Sequence, residues 1–515
     1  MADICFPPAD GTAVPPQTLT PGTAARTSGR RRRRPEDTVL YQLLQQHLAT
    51  FLAGHGRPLP RHVRCELDRF LSCGILARGF ARVHCATCNQ SALVAFACKA
   101  RAVCPSCTGR RMTETAAHLC DHVLPEVPVR QWVLSLPHTI RFLMARDPAV
   151  LRLCRGIFVR AVQSFYARRA RDEGTPEGRT GAVVCVQRFD SALRLDLHFH
   201  ALVLDGVYTG FGPGEKLVFR AAKPLRDTEV EHLVRHIRNL IIGRLQRMGL
   251  LDADARLDPD AGRELDALGH QHAAAIQGLI PFGERAGRQT AMLEEREPQS
   301  RSAVRKKLCA DQRGFSLHAA VRVGAGKRDR LERLCRYVSR PPFAQDRLAV
   351  LPNGHVVYRF RRPWKNGRTA VVLDPMTFLS RLAAQVPPPR RHALTYHGVL
   401  APAASRRDEI VPGYDETETR HPCHARAGND GNDPTPPPPP RVRPERYSWA
   451  ELMQRAFEID VLRCPCGARR RVLSLVCDPL QIRRVLEHMG LPADPPERAP
   501  PQAVQGVMQF GEAAE

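Results

Sequence analysis

Apolar positions change period several times along this chain, and each change marks a predicted element. In "DTVLYQLLQQHLATFLAG" (37–54), Leu40, Leu43, Leu44, His47, Leu48 and Phe51 recur at helical spacing, which predicts an amphipathic helix. Asp37 or Thr38 can cap its start and Gly54 its end. "RQWVLSLP" (130–137) reads as a buried strand, followed by helical stretches up to about residue 172. "GAVVCVQRFD" and "RLDLHFHALVLDG" (194–206) are two strand-like runs a few residues apart, which predicts a hairpin. Residues 225–310, rich in Ala, Leu, Arg, Glu and Gln, read as mainly helical. "GFSLHAAVRV" (314–323) predicts a further strand, and "KRDRLERLCRYVSR" (327–340) a helix stopped by Pro341 and Pro342. "GHVVYRFRRPWKNGRTAVVLD" has the pattern of a β-hairpin turning at Asn366-Gly367. No internal repeat is visible.

Composition narrows the class. The 515 residues suffice for two or three domains, and 43% hydrophobic with 25% charged residues is a globular balance. Lys and Arg total 77 against 52 Asp and Glu, a net charge of +25. Such an excess favours a polyanionic partner, and nucleic acid is the default one. No long basic amphipathic helix points to a membrane surface, and no run of 18 apolar residues predicts a transmembrane helix. The opening "MADICFPPADGTAVPPQ" lacks the basic and apolar regions of a secretory signal. The chain contains 17 cysteines, some in CxxC pairs, which in a long chain points to metal and to a reducing, cytoplasmic compartment rather than to disulfides.

The cysteine-rich segment is "CATCNQSALVAFACKARAVCPSC". Cys85 and Cys88 form one CxxC, Cys104 and Cys107 a second, with fifteen residues between. Each pair can present two thiolates from a tight turn, so the two together predict one closed, structural four-thiolate Zn²⁺ site. Cys98 in the spacer could replace one ligand, whereas Cys73 and Cys65 read as core residues. Arg78, Arg82, Lys99, Arg101, Arg110 and Arg111 would give this module a basic rim suited to DNA, or a solvated face.

In the strand over 194–206, side chains alternate. Leu195, Leu197, Phe199, Ala201 and Val203 make one apolar face, which packs against helices. The opposite face presents Asp196, His198 and His200, with the two imidazoles about 7 Å apart by strand rise, close enough to share one divalent ion. With a hairpin loop of about four residues, Gln187 lies opposite His198 and can supply a third ligand. His318, on another predicted strand, competes for that role. Hydrogen-bonded core histidines are the alternative reading. On the helix over 327–340, Leu331, Leu334, Cys335 and Val338 form the buried stripe and Tyr337 falls at its edge. Arg333 and Arg340 share its flank, where they would stabilise a phenolate and a phosphate under attack. A boundary tyrosine with its hydroxyl in water is the competing reading.

The order of these segments resembles the rolling-circle transposases of the insertion-sequence-91 type. The carrying motifs are the CxxC…CxxC domain, "VQRFDSALRLDLHFHALVLDGVY", "RYVSRPPFAQDRL" and "PPPRRHALTYHGVLAP", and the resemblance spans about residues 40–490. It places the chain in the His-hydrophobic-His nuclease superfamily, with plasmid replication initiators and conjugative relaxases. It implies an α+β fold, an antiparallel sheet flanked by helices, behind a small N-terminal zinc-binding domain. It also implies that His198 and His200 hold Mg²⁺ or Mn²⁺ and that Tyr337 attacks the scissile phosphate to form a 5′-phosphotyrosine. The implied substrate is single-stranded or melted DNA at element ends, with self-assembly open and nucleoid association in a bacterial cytoplasm expected. Some members carry a second tyrosine one turn earlier, where this chain has Arg333. Tyr337 then acts alone, or a residue such as Tyr396 helps, although Tyr396 reads as structural. "RCPCGARRRVLSLVC" resembles a zinc knuckle in the family, but Cys464 and Cys466 are only one residue apart, a poor spacing for metal.

The expected organisation is a disordered basic arm (1–36, ending in Arg30 to Arg34), a zinc-binding, DNA-binding domain (37–125), and a catalytic domain (126–402) with a helical insertion around 225–310. A Pro-rich linker (403–446, including Pro436 to Pro440), a small C-terminal unit (447–495) and a tail (496–515) follow. A replication initiator or relaxase with the same chemistry is the nearest rival, although relaxases usually carry a helicase and no GxxxxGK[ST] motif is present. A non-catalytic zinc DNA-binding protein is the rival from another class.

Overall fold

The computed structural model describes residues 34–54, 58–256, 266–294, 307–412, 455, 460 and 462–502. The basic arm up to residue 33, the expected linker from 413 onward and the tail from 503 lie outside the described residues, as do 257–265 and 295–306 of the expected helical insertion. In chain order the elements are α1 (Val39–Ala53), α2 (Arg61–Phe70), β1 (Phe80–Cys85), β2 (Gln90–Ala95), α3 (Pro105–His122), β3 (Val129–Ser135), α4 (His138–Arg146), α5 (Pro148–Asp172), β4 (Gly181–Phe189) and β5 (Leu195–Leu204). Then follow β6 (Gly206–Thr209), β7 (Val218–Ala221), α6 (Asp227–Arg247), α7 (Ala267–Gln277), β8 (Ala291–Glu294), β9 (Cys309–Gln312), β10 (Phe315–His318), β11 (Arg322–Val323) and α8 (Arg328–Val338). Last come β12 (Leu348–Val350), β13 (Val356–Arg359), β14 (Arg368–Leu373), α9 (Pro375–Gln385), β15 (Leu394–Gly398), α10 (Arg407–Ile410), β16 (Arg471–Val476) and α11 (Pro479–His488).

The architecture is α+β, with antiparallel sheets flanked by helices. The main sheet has strand order β15-β4-β5-β3-β10-β9, with β11 also pairing β3. The predicted hairpin forms as β4 and β5, and its register sets Gln187 opposite His198. The apolar face of β5 packs with α4, α5 and α6 in one core, where Phe199 stacks on Phe158 at 6.1 Å. The other face of β5 continues as Leu202 and Leu204, which α3 and α8 cover in a second core. Burying both faces of one strand is what makes β5 a continuous apolar run interrupted only by polar groups that must find partners.

Asp205, at the end of β5, organises one polar island in this interior. It accepts from Arg130 Nε and Nη2 at 2.9 and 3.0 Å, from Tyr166 Oη at 2.7 Å and from Arg322 Nε at 2.6 Å. Burial alone would raise its carboxyl, but these donors outweigh burial and hold it below the ordinary value of 3.8.

Several expectations are refined. The first helix runs from Val39 to Ala53, and of the two caps proposed, Thr38 accepts from the Tyr41 amide. The described residues of the stretch 225–310 hold α6 and α7 but also β8 and the start of β9, because β14 and β10 offer open edges that composition cannot reveal. The strand over 314–323 is broken between β10 and β11, both of which pair with β3. The N-terminal helices do not close a separate core: α1 and α2 share one with β12–β14 and α9. The C-terminal strand β16 joins β1 and β2 in one sheet. Among the described residues, no helix is long and apolar enough to cross a membrane.

Candidate active site and zinc-binding cysteines

His198 and His200 project from β5 beneath α8, 4% and 0% exposed, with ring centroids 4.9 Å apart. The histidine face is therefore roofed rather than open as expected, because Leu202 and Leu204 on the same face require cover. Tyr337, half-buried on α8, meets the His200 ring edge to face, centroids 5.8 Å apart. Burial lowers both imidazole pKa values and the charge of Arg340 pushes the same way, while Asp196 partly offsets this at His198. His198 Nδ1 lies 2.9 Å from the Asp196 carbonyl oxygen, which fixes the proton on Nδ1 and leaves the lone pair on Nε2.

Gln187 Nε2 donates to the carbonyls of Tyr337 and Val338 at 3.1 and 2.9 Å. This ties the end of α8 to the sheet and turns Gln187 Oε1 away, buried and without a hydrogen-bond partner among the described residues. His200 Nε2 is likewise buried and without one. Two imidazoles and an amide oxygen, with His200 Nε2 and Gln187 Oε1 unsatisfied, could hold a divalent cation whose remaining positions would go to water or phosphate oxygens. His318 stands on the same face, since its register partner on β3, Val133, is also that of His200.

The two arginines expected beside the tyrosine part company. The Arg340 guanidinium stacks 4.7 Å over the Tyr337 ring and also reaches Phe189 at 5.4 Å. Arg333 is exposed and donates from Nε to the Asp329 carbonyl, one turn back along its own helix. Its position on α8 faces solvent, so helical spacing alone overstated its closeness. Tyr396 lies on β15, opposite Val183 of β4, and packs into the core beneath α3 and α8.

One residue of the site escaped sequence reading. Gln131 of β3 places its side-chain amide nitrogen 2.7 Å from His200 Nδ1. With the amide turned over, Oε1 would accept from Nδ1–H, and His200 Nε2 would then carry a lone pair for a ligand. No motif marked Gln131, because it reaches His200 from a neighbouring strand.

The cysteines form two clusters, not the single site expected from the two CxxC pairs. Cys104 and Cys107 join Cys73 and Cys98; Cys85 and Cys88 join Cys464 and Cys466. Within each set all sulfurs lie within 4.8 Å of one another. The reason is the β1–β2 hairpin. It carries the Cys85–Cys88 turn away from α3, whose first turn holds Cys107 behind its cap, Cys104. Cys73, expected as a core residue, arrives from the turn after α2, with Sγ 3.8 Å from that of Cys107 and 3.6 Å from that of Cys104. Glu66 positions this set by accepting from the amides of Arg101 and Ala102, both at 2.6 Å.

Comparison with known families places these features. Residues 181–408, which carry both histidines, Gln187 and Tyr337, match a family described as "Putative transposase". Residues 43–136, which carry six of the clustered cysteines, match the family "Transposase zinc-binding domain". No curated protein and no solved structure matches the chain. The zinc-binding domain and the cysteine clusters support structural zinc, and both families imply DNA binding. With its zinc-binding domain ahead of the transposase region, the chain matches a transposase of the insertion-sequence-91 type.

Proposed function

We propose that this transposase nicks and transfers single-stranded DNA at the ends of its insertion sequence through a covalent 5′-phosphotyrosine on Tyr337, in rolling-circle transposition. The observation that carries this reading is the packing of the Tyr337 ring against His200, beside His198 and Gln187. A Mg²⁺ or Mn²⁺ ion at His198, His200 and Gln187 would polarise the scissile phosphate. Tyr337 Oη loses its proton and bonds to phosphorus, while the P–O3′ bond breaks and the departing 3′ oxygen takes up a proton. Arg340 offsets charge building on the phosphate. Gln187 fixes α8 over the sheet, which holds the nucleophile in reach. Attack of a 3′-hydroxyl on the phosphotyrosine then reseals a strand without a nucleotide cofactor, since the first bond's energy is conserved in the second.

The test is a nicking assay on single-stranded oligonucleotides carrying an element end, resolved under denaturing conditions. A Mn²⁺-dependent protein–DNA adduct is expected, lost in Tyr337→Phe and in His198→Ala. An adduct that persists in Tyr337→Phe reassigns the nucleophile, and DNA binding without any adduct makes the chain a binding protein.

A further inference from the structure

We infer that a second zinc ion is bound by Cys85 and Cys88 of the N-terminal domain together with Cys464 and Cys466 of the C-terminal unit, and that it clasps the two ends of the chain. The sulfur geometry is that of one tetrahedral ion. Zn–S bonds of about 2.3 Å set ligand sulfurs about 3.8 Å apart. Here Cys85 and Cys466 lie 3.6 Å apart and Cys88 and Cys464 3.4 Å, far beyond a disulfide bond of about 2.05 Å. Four uncharged thiols gain little by converging this closely; four thiolates on a cation gain a great deal.

The spacing that argued against Cys464 and Cys466 is resolved by the turn that carries them. The Cys464 amide donates to the Ala468 carbonyl at 2.8 Å, and Gly467 takes the positive φ (+91°) that closes the loop. Both thiols then face one side. The turn is delivered to the right place by β16, which pairs antiparallel with β1 and sets Arg471 opposite His84, next to Cys85. A CxxC knuckle thus finds its other half 376 residues away, between Cys88 and Cys464. Cross-links that close long loops remove the most entropy from the unfolded chain.

The C-terminal unit needs such a clasp. Among the described residues, its buried aliphatic side chains are Val476, Ile482 and Leu486, which pack on Leu76 and Phe80. Val472, Leu473, Leu475 and Leu480 of β16 and α11 are exposed, Leu475 and Leu480 to 67% and 70%. Beyond α11 the chain continues along the N-terminal helices, where Ala499 N donates to the Gln45 carbonyl at 3.1 Å and Arg498 pairs with Asp68 at 2.6 Å.

The full-length protein settles the matter by metal counting and hydrogen exchange. Two zinc ions per chain are expected, falling to one in Cys464→Ser/Cys466→Ser, with amide protection lost in 471–476 and kept in α1 and α2. Cobalt substitution supplies a check that does not remove a ligand. Cys466→His should still bind two ions but lose part of the thiolate-to-cobalt charge-transfer absorption. One zinc in the wild type, two in the double serine variant, or an unchanged cobalt spectrum in Cys466→His each overturns the bridging site.

Discussion

The Tyr337 ring stands at 84° to the His200 ring with centroids 5.8 Å apart, and α8, which carries Tyr337, covers the histidine face of β5. Roofing has a consequence for DNA. Under the proposed function, a scissile phosphate would enter at the half-buried Tyr337 edge, because the histidines themselves are nearly inaccessible.

Gln131 orients His200, so its removal should act on metal affinity rather than on folding. Outer hydrogen-bond partners of metal-ligating histidines are typically worth 10–100-fold in affinity. Mn²⁺ titration of Gln131→Leu, followed by calorimetry, should show weakening of about that size. Unchanged affinity would remove Gln131 from the site.

Arg340 and Arg333 should separate in a rate comparison. Arg340 stacks on Tyr337, whereas Arg333 turns to Asp329. Arg340→Ala should slow adduct formation by about 10²–10³-fold, the usual cost of a lost transition-state donor. Arg333→Ala should cost far less, through general phosphate attraction that salt screens. Equal losses in the two variants would count against the stacked arrangement.

Zinc stoichiometry distinguishes the observed cysteine grouping from the one read off the CxxC pairs. Cys73→Ser should lower zinc content as Cys104→Ser does, since both sulfurs belong to one cluster. Cys85→Ser should leave that ion in place. Full zinc content in Cys73→Ser would restore the original pairing of Cys85 and Cys88 with Cys104 and Cys107.

Asp205 should make the main sheet acid-sensitive. Its folded carboxyl is held below 3.8, so its stabilisation is complete above the unfolded value and fades as pH falls through the lower, folded one. Removing one partner from a buried, hydrogen-bonded ion pair costs about 3–5 kcal/mol. Asp205→Asn should therefore melt well below the wild type at neutral pH, with the gap narrowing below about pH 4. Thermal denaturation from pH 7 to pH 3 measures both, and a gap independent of pH would show that Asp205 is not the titrating group.

Local periodicity in the sequence by itself determined several elements: α1, β3, β4, β5 and α8 lie where apolar spacing put them, because a strand or helix with one or two buried faces must repeat its apolar residues at its own period. The same logic set His198 and His200 on one face of β5 and opposed Gln187 to His198, since a short hairpin fixes register. Only tertiary structure decided what each group meets. Whether the histidines lay under α8, whether Arg340 or Arg333 stacked on Tyr337, and that Gln131 reached His200, all depend on how separate elements pack. The cysteines make the point most sharply. A CxxC turn supplies two ligands by local geometry, but a tetrahedral ion needs four. Which remote pair completes each set follows from where β16 and the turn after α2 come to rest, and no spacing along the chain encodes that.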